Sequence, residues 1–149
     1  MKLFQIACSF CSTFCCQKVR KSCKINLMKK FDIMWVEEGP KKYFAEVSKN
    51  NVLNAVKSLN KAKARFITAT ACENPGQFYI FYHFEQNKYL YTLWTKLKGE
   101  KVNSIASVYP TANWIEREMA DLYGIKFSGK PQKSLLLTPD IKHPFKENL

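Results

Sequence analysis

Pro110-Thr111-Ala112-Asn113-Trp114-Ile115-Glu116-Arg117-Glu118-Met119-Ala120-Asp121-Leu122-Tyr123-Gly124 packs a helix start, a cluster of charges and a helix stop into one short run. Pro110 disfavours helical backbone at Tyr109, Thr111 offers a hydroxyl to the first free amides, and Gly124 can take the left-handed conformation that closes a helix. A helix of about three turns follows between them. Trp114, Ile115, Met119 and Leu122 read as its greasy side, while Glu116, Arg117, Glu118 and Asp121 crowd together. Arg117 and Asp121 stand at ion-pair spacing, but an exposed pair of this kind contributes only ~0.3–0.5 kcal/mol. Stability is thus a weak reason for so many charges. The carboxylates could gather a hard cation, yet Arg117 in their midst favours internal ion pairing.

Upstream of this helix the pattern is mostly strand. Ile33 to Glu37 and Tyr43 to Val47 flank Gly39-Pro40 and suggest a hairpin. Ser48 or Asn50 offers an N-cap, after which Val52, Leu53, Val56 and Leu59 repeat at helical spacing. Arg65 to Cys72, Gln77 to Phe84 and Lys88 to Leu97 are three further strands, with turns at Asn74-Pro75-Gly76 and Glu85-Gln86-Asn87. The order β-β-α-β-β-β-α predicts an α+β fold, a two-layer sandwich with a mainly antiparallel or mixed sheet. Downstream, Pro131, Pro139 and Pro144 forbid long helices, so an extended C-terminal tail is expected to lie along another surface. The chain divides into residues 1-27, a core of 28-125, and a partner-binding tail of 126-149.

Period two in Phe78 to Phe84 puts Phe78, Ile80, Tyr82 and Phe84 on one side and Tyr79, Phe81 and His83 on the other. Aromatics beside basic residues can stack nucleic-acid bases. Aromatics on both faces fit better a central strand covered by helix on one side and a partner on the other. His83 reads as a structural residue, and neither it nor His143 sits in a nucleophile motif. No glycine-rich phosphate or dinucleotide loop is present.

A chain of 149 residues suits one domain, and its hydrophobic fraction of 46% suffices for a core. No apolar run approaches the ~20 residues of a membrane span. The net charge of +12 is uneven, with Lys2, Lys18, Arg20, Lys21 and Lys24 preceding Met28 and no acidic residue before Asp32. Such a field could serve nucleic acid, anionic lipid or an acidic partner. Cys8, Cys11, Cys15, Cys16 and Cys23 crowd the same segment, leaving Cys72 alone. Their spacing is neither that of a zinc ribbon nor that of a ferredoxin cluster. Residues 1-27 therefore read as a disordered Cys-rich extension or an overcalled start, with the working protein beginning near Met28. Two rivals remain from other classes: a small basic nucleic-acid-binding module, and a metal or thiol protein using the N-terminal cysteines.

Ala112 to Pro131 carries a longer likeness through Ala112-Asn113-Trp114, Glu116-Arg117-Glu118, Asp121, Tyr123-Gly124-Ile125, Phe127, Gly129 and Pro131. It resembles the signature of the thirty-kilodalton subunit of respiratory complex I, the C subunit of NADH-quinone oxidoreductase, and its small homologue in energy-converting membrane NiFe hydrogenases. Leu135 to Asp140 and His143-Pro144-Phe145-Lys146 extend the resemblance. Lys130 stands where the family usually has His, Ile141 where Trp is usual, and the Asp140 to His143 spacing is one residue short. The chain also lacks the long C-terminal extension of many complex I members, which favours the short hydrogenase-type form.

The resemblance implies a non-catalytic subunit on the cytoplasmic face of the cell membrane, peripheral to it. Its implied partners are a large catalytic subunit, either the forty-nine-kilodalton type of complex I or a hydrogenase large subunit, an iron-sulfur small subunit, and membrane subunits. No nucleic acid is expected. No cofactor is expected in this chain; iron-sulfur clusters, and a NiFe centre in the hydrogenase branch, belong to partner subunits. Trp114, Glu116, Arg117, Glu118, Asp121, Lys133, His143 and Lys146 are expected at the partner interface, with Arg117 and its acidic neighbours forming a buried charge-assisted network. The implied process carries electrons from NADH or ferredoxin to quinone, or from ferredoxin to protons, coupled to ion translocation.

Overall fold

The computed structural model describes residues 27–30, 33–74, 77–97, 99, 101–129, 134–136 and 143–145. The expectations for residues 1-26, including five of the cysteines, and the positions Lys133 and Lys146 lie outside the described residues.

Three strands, β1 (Leu27–Lys30), β2 (Ile33–Glu37) and β3 (Lys42–Glu46), precede helix α1 (Val52–Lys61). A meander of β4 (Arg65–Asn74), β5 (Gln77–Gln86) and β6 (Tyr89–Leu97) follows, then β7 (Lys101–Asn103), α2 (Ala112–Tyr123) and β8 (Lys126–Ser128). Six strands form one mixed sheet in the order β1-β2-β3-β6-β5-β4. Only β3 with β6 is parallel within it, because α1 carries the chain across the sheet to β4 and the meander returns to β3. The predicted order is thus present, with β1, β7 and β8 added to it.

Alternation decides which residues fill the core. Phe78, Ile80, Tyr82 and Phe84 of β5 and Tyr91, Leu93 and Leu97 of β6 are buried together with Trp35 and Ala45. Val52, Ala55, Val56 and Leu59 of α1, and Ala112 and Met119 of α2, close over that same face. Each large apolar side chain so buried contributes about 1.5–3 kcal/mol. Trp35 meets Tyr91 edge-on at 5.0 Å, and Phe66, Phe84 and Tyr109 form a second aromatic group at 5.6–5.9 Å. The Tyr109 hydroxyl also donates to the Ala64 carbonyl at 2.6 Å, which pins the entry of α2 against the start of β4.

The opposite face of β5 carries Tyr79, Phe81 and His83. Trp94 of β6 lies between Tyr79 and Phe81 at centroid distances of 6.2 and 6.4 Å, and His83 Nδ1 is 3.0 Å from Thr92 Oγ1. As expected from the alternation, aromatics line both faces of an interior strand.

Two turn details differ from the sequence reading. The β5–β6 turn is the pair Asn87-Lys88, both at positive φ, so Gln86 remains in the strand. Helices α1 and α2 begin behind Asn51 and Thr111, both in right-handed conformation without a side-chain cap bond. In that conformation neither side chain reaches back over the first turn as an extended cap residue does.

Candidate functional site

Helix α2 ends as the sequence predicts: Gly124 has φ +72° and its N–H donates to Ala120 O at 3.0 Å. The phase of the helix is the expected one at Met119, which is buried, and at Ile115, which packs against the core, but not at Trp114. Ala112, Glu116 and Met119 are its buried residues, whereas Trp114 is 61% exposed. Spacings of four and three residues place the buried three on one stripe, and Trp114, Arg117 and Asp121 lie on the opposite ridge.

Glu116 is therefore an interior charge, only 2% exposed. It accepts from Ser104 Oγ at 2.6 Å and from the Ile105 N–H at 2.7 Å, while Ser104 Oγ in turn accepts from the Ala106 N–H. The carboxylate thus organises the turn that leads from β7 into α2. Among the described residues the Tyr82 hydroxyl finds no hydrogen-bond partner; burial first, and the Glu116 charge second, push its pKa up so that it stays protonated.

On the outer ridge, the Arg117 guanidinium lies 5.5 Å from the centre of the Trp114 ring, a cation–π distance. It also donates to Ser134 O at 3.3 Å. One oxygen of Asp121 accepts three bonds from the arm: Ser134 Oγ at 3.1 Å, Leu135 N–H at 2.6 Å and Leu136 N–H at 2.8 Å. His143 Nδ1 donates to the Asp121 carbonyl at 2.9 Å, and the Phe145 N–H donates to Leu122 O at 3.1 Å. The Phe145 ring packs on Tyr123 at 5.7 Å.

Trp114, Arg117, Asp121 and His143 are accordingly gathered on the outer side of α2 and at its C-terminal end. Glu116 is turned to the β7 side, and Glu118 is half-buried on the helix. Of the charges expected to act together, Glu116 bonds to Ser104 and Ile105, and Arg117 and Asp121 bond to the arm. Sequence reasoning missed Ser104 and Ser134, whose one signal is that of small hydroxyl residues beside chain reversals.

The described part of the expected tail begins as a strand. Lys126 to Ser128 form β8, parallel to β7, and Ile125 and Phe127 are buried in the main core. Beyond them, Leu136 and Phe145 are 57% and 55% exposed. No helix among the described residues is long and apolar enough to cross a membrane.

Comparison with known proteins bears on this arrangement. The chain is 37% identical over 103 residues to the C subunit of NADH-quinone oxidoreductase from Cereibacter sphaeroides, an alignment covering 62% of this chain and 52% of that protein. It is 40% identical over 81 residues to the corresponding protein of Legionella pneumophila, covering 50% of this chain and 36% of that one. The chain thus spans about half or less of these relatives. Among solved structures, a chain of the membrane-bound sulfane sulfur reductase, an archaeal respiratory membrane complex, has the same fold with a TM-score of 0.65 at 16% identity, over 74% of this chain and 71% of that one. The trypsin-resistant fragment of Nqo5 superposes with a TM-score of 0.54 at 14% identity, over 72% and 88%. The family model described as the respiratory-chain NADH dehydrogenase, 30 Kd subunit matches residues 45–149. That match takes in the sheet from the end of β3 onward, the α2 ridge and the arm, and the chain belongs to this family.

Proposed function

We propose that this chain is a non-catalytic peripheral-arm subunit of a membrane-bound, complex I-like oxidoreductase, and that it holds the large catalytic subunit in register. The observation that carries the reading is the outer ridge of α2. A largely exposed Trp114 lies beside Arg117 in the first half of α2, and Leu136 and Phe145 are displayed on the arm at the C-terminal end of the same helix. Exposed aromatic and Arg side chains clustered together are the usual anchors of a protein interface. Tryptophan in water at the surface of a free-standing domain has no comparable role in stability.

On this reading the chain contributes recognition and geometry, and the redox chemistry resides in its partners. Iron-sulfur clusters there, and a NiFe centre in a hydrogenase-type complex, would carry electrons to quinone or protons, coupled to ion movement. The site residues Trp114, Arg117, Asp121 and His143, with Lys133 and Lys146, would face or support the large subunit on the cytoplasmic side of the membrane. Glu116 would support the contact from beneath by fixing α2.

The test is co-purification of a tagged chain from its native host. Wild type should bring down a larger redox protein on a native gel. Trp114→Ala should weaken that recovery by about tenfold or more, as for an interface hot spot, with its thermal unfolding unchanged because the side chain is exposed. Failure of wild type to retain any such companion, or full retention by Trp114→Ala together with Arg117→Ala, would overturn the reading.

A further inference from the structure

The last carbonyls of an α-helix have no partner within the helix. At the end of α2 Ala120 O is satisfied by Gly124, and the next two, Asp121 O and Leu122 O, are satisfied by His143 and Phe145. These two donors come from a segment about twenty residues further along the chain. A second, separate attachment is made by the Asp121 carboxylate, which collects two backbone N–H groups and a hydroxyl from Ser134 to Leu136 on a single oxygen. Hydrogen bonds to a charged acceptor of this kind are about twice as strong as neutral ones.

We propose that Ser134 to Leu136 and His143 to Phe145 are two contact points of an intramolecular strap, closed over the C-terminal end of α2 in the isolated chain, with Asp121 as its anchor. Asp121 is the hinge of the arrangement because it serves both points, through its carboxylate and its own carbonyl. Gly124 makes the second point possible. A Cβ there would stand 3.1 Å from two ring carbons of His143, tighter than an ordinary contact, and the backbone is already in the left-handed region. The ring therefore lies flush against a position that only glycine leaves open.

The strap has a consequence for association. Leu136 follows immediately on the anchored Leu135, and the Phe145 backbone is itself bonded to α2, so both apolar side chains are fixed at one helix end before anything binds. Leaving such a segment to be ordered at the moment of association would add the loss of its backbone freedom to the binding step. A strap already closed removes that loss from association.

Amide hydrogen exchange on the full-length chain tests the proposal without a partner. The amides of Leu135, Leu136 and Phe145 should be protected about tenfold or more over unstructured peptide rates. Asp121→Ala should abolish protection at Leu135 and Leu136, and Gly124→Ala should reduce it at Phe145, while β5 and β6 amides keep their wild-type rates. Exchange of these three wild-type amides at unstructured rates overturns the strap, whatever the variants do. Protection at Leu135 and Leu136 that survives Asp121→Ala in a folded chain overturns the anchor. Because the measurement uses the isolated chain, its failure is distinct from failure of the partner-holding role.

Discussion

Glu116 is the residue whose chemistry is most constrained by its surroundings. An interior carboxylate survives only where hydrogen bonds replace its lost water, and here Ser104 and Ile105 supply them. Glu116→Ala would strand the buried Ile105 N–H and the half-buried Ser104 hydroxyl and leave a void beneath α2, so a loss of about 2–4 kcal/mol is expected in urea unfolding. Glu116→Gln keeps one acceptor and should cost less. His83 offers a second test, through pH. Burial on the outer face of the sheet lowers its pKa below the ordinary 6.5, so the unfolded chain takes up a proton before the folded one does. Stability attributable to His83 is therefore intact above 6.5 and is lost as pH falls through the lowered folded value. Urea midpoints measured between about pH 7.5 and about pH 5.5 should fall more steeply for wild type than for His83→Gln; parallel slopes would show that His83 does not titrate differently on folding.

At the scale of elements, the β5–β6 hairpin is held by a two-residue turn with positive φ at both Asn87 and Lys88. Asparagine tolerates that region, but lysine does so only against its Cβ, and the Asn-Gly pair is the favoured solution. Lys88→Gly should therefore stabilise the fold by about 0.5–1 kcal/mol in thermal or chemical unfolding, with no shift of the Gln86↔Tyr89 register. The long strands β4 to β6 are legible in the sequence because alternation runs through each of them, and α1 is legible because its apolar residues repeat at helical spacing. Strands β7 and β8 have three residues each, too short for a period, and their pairing joins segments on either side of α2. The extent of α2 is legible from Pro110 and Gly124, and Ile115 and Met119 face the core as their hydrophobicity suggests, but the places of Trp114 and Glu116 are not legible. Hydrophobicity alone assigns Trp114 inward, whereas the stripe of Ala112, Glu116 and Met119 is the one that fits the sheet. A charged residue in that stripe is tolerated only because Ser104 and Ile105, distant in sequence, come to meet it.

For the whole molecule the question is where the compact unit ends. Prolines after Lys126 suggest that the chain from there on is an arm, yet Phe127 is buried in the same core as α1 and the sheet, next to Ile125 at the end of the expected body. Their burial contributes about 3–6 kcal/mol together, a large share of the roughly 5–15 kcal/mol typical of a whole domain. Phe127 is held there by β8 pairing with β7, directly opposite the buried Val102. A chain ended after Gly129 keeps this layer and, of the described residues, loses only 134–136 and 143–145, so it should unfold in one cooperative transition with a modestly lower midpoint. A chain ended after Gly124 loses both core side chains and uncovers β7, so its transition should collapse or broaden. Circular dichroism melts of the two truncations, side by side, check the claim. Equal midpoints would mean that β8 is an appendage, whereas a large gap places the boundary between folded body and arm after Ser128. The body would then be a rigid mount, with α2 as the element shared between its core and the arm.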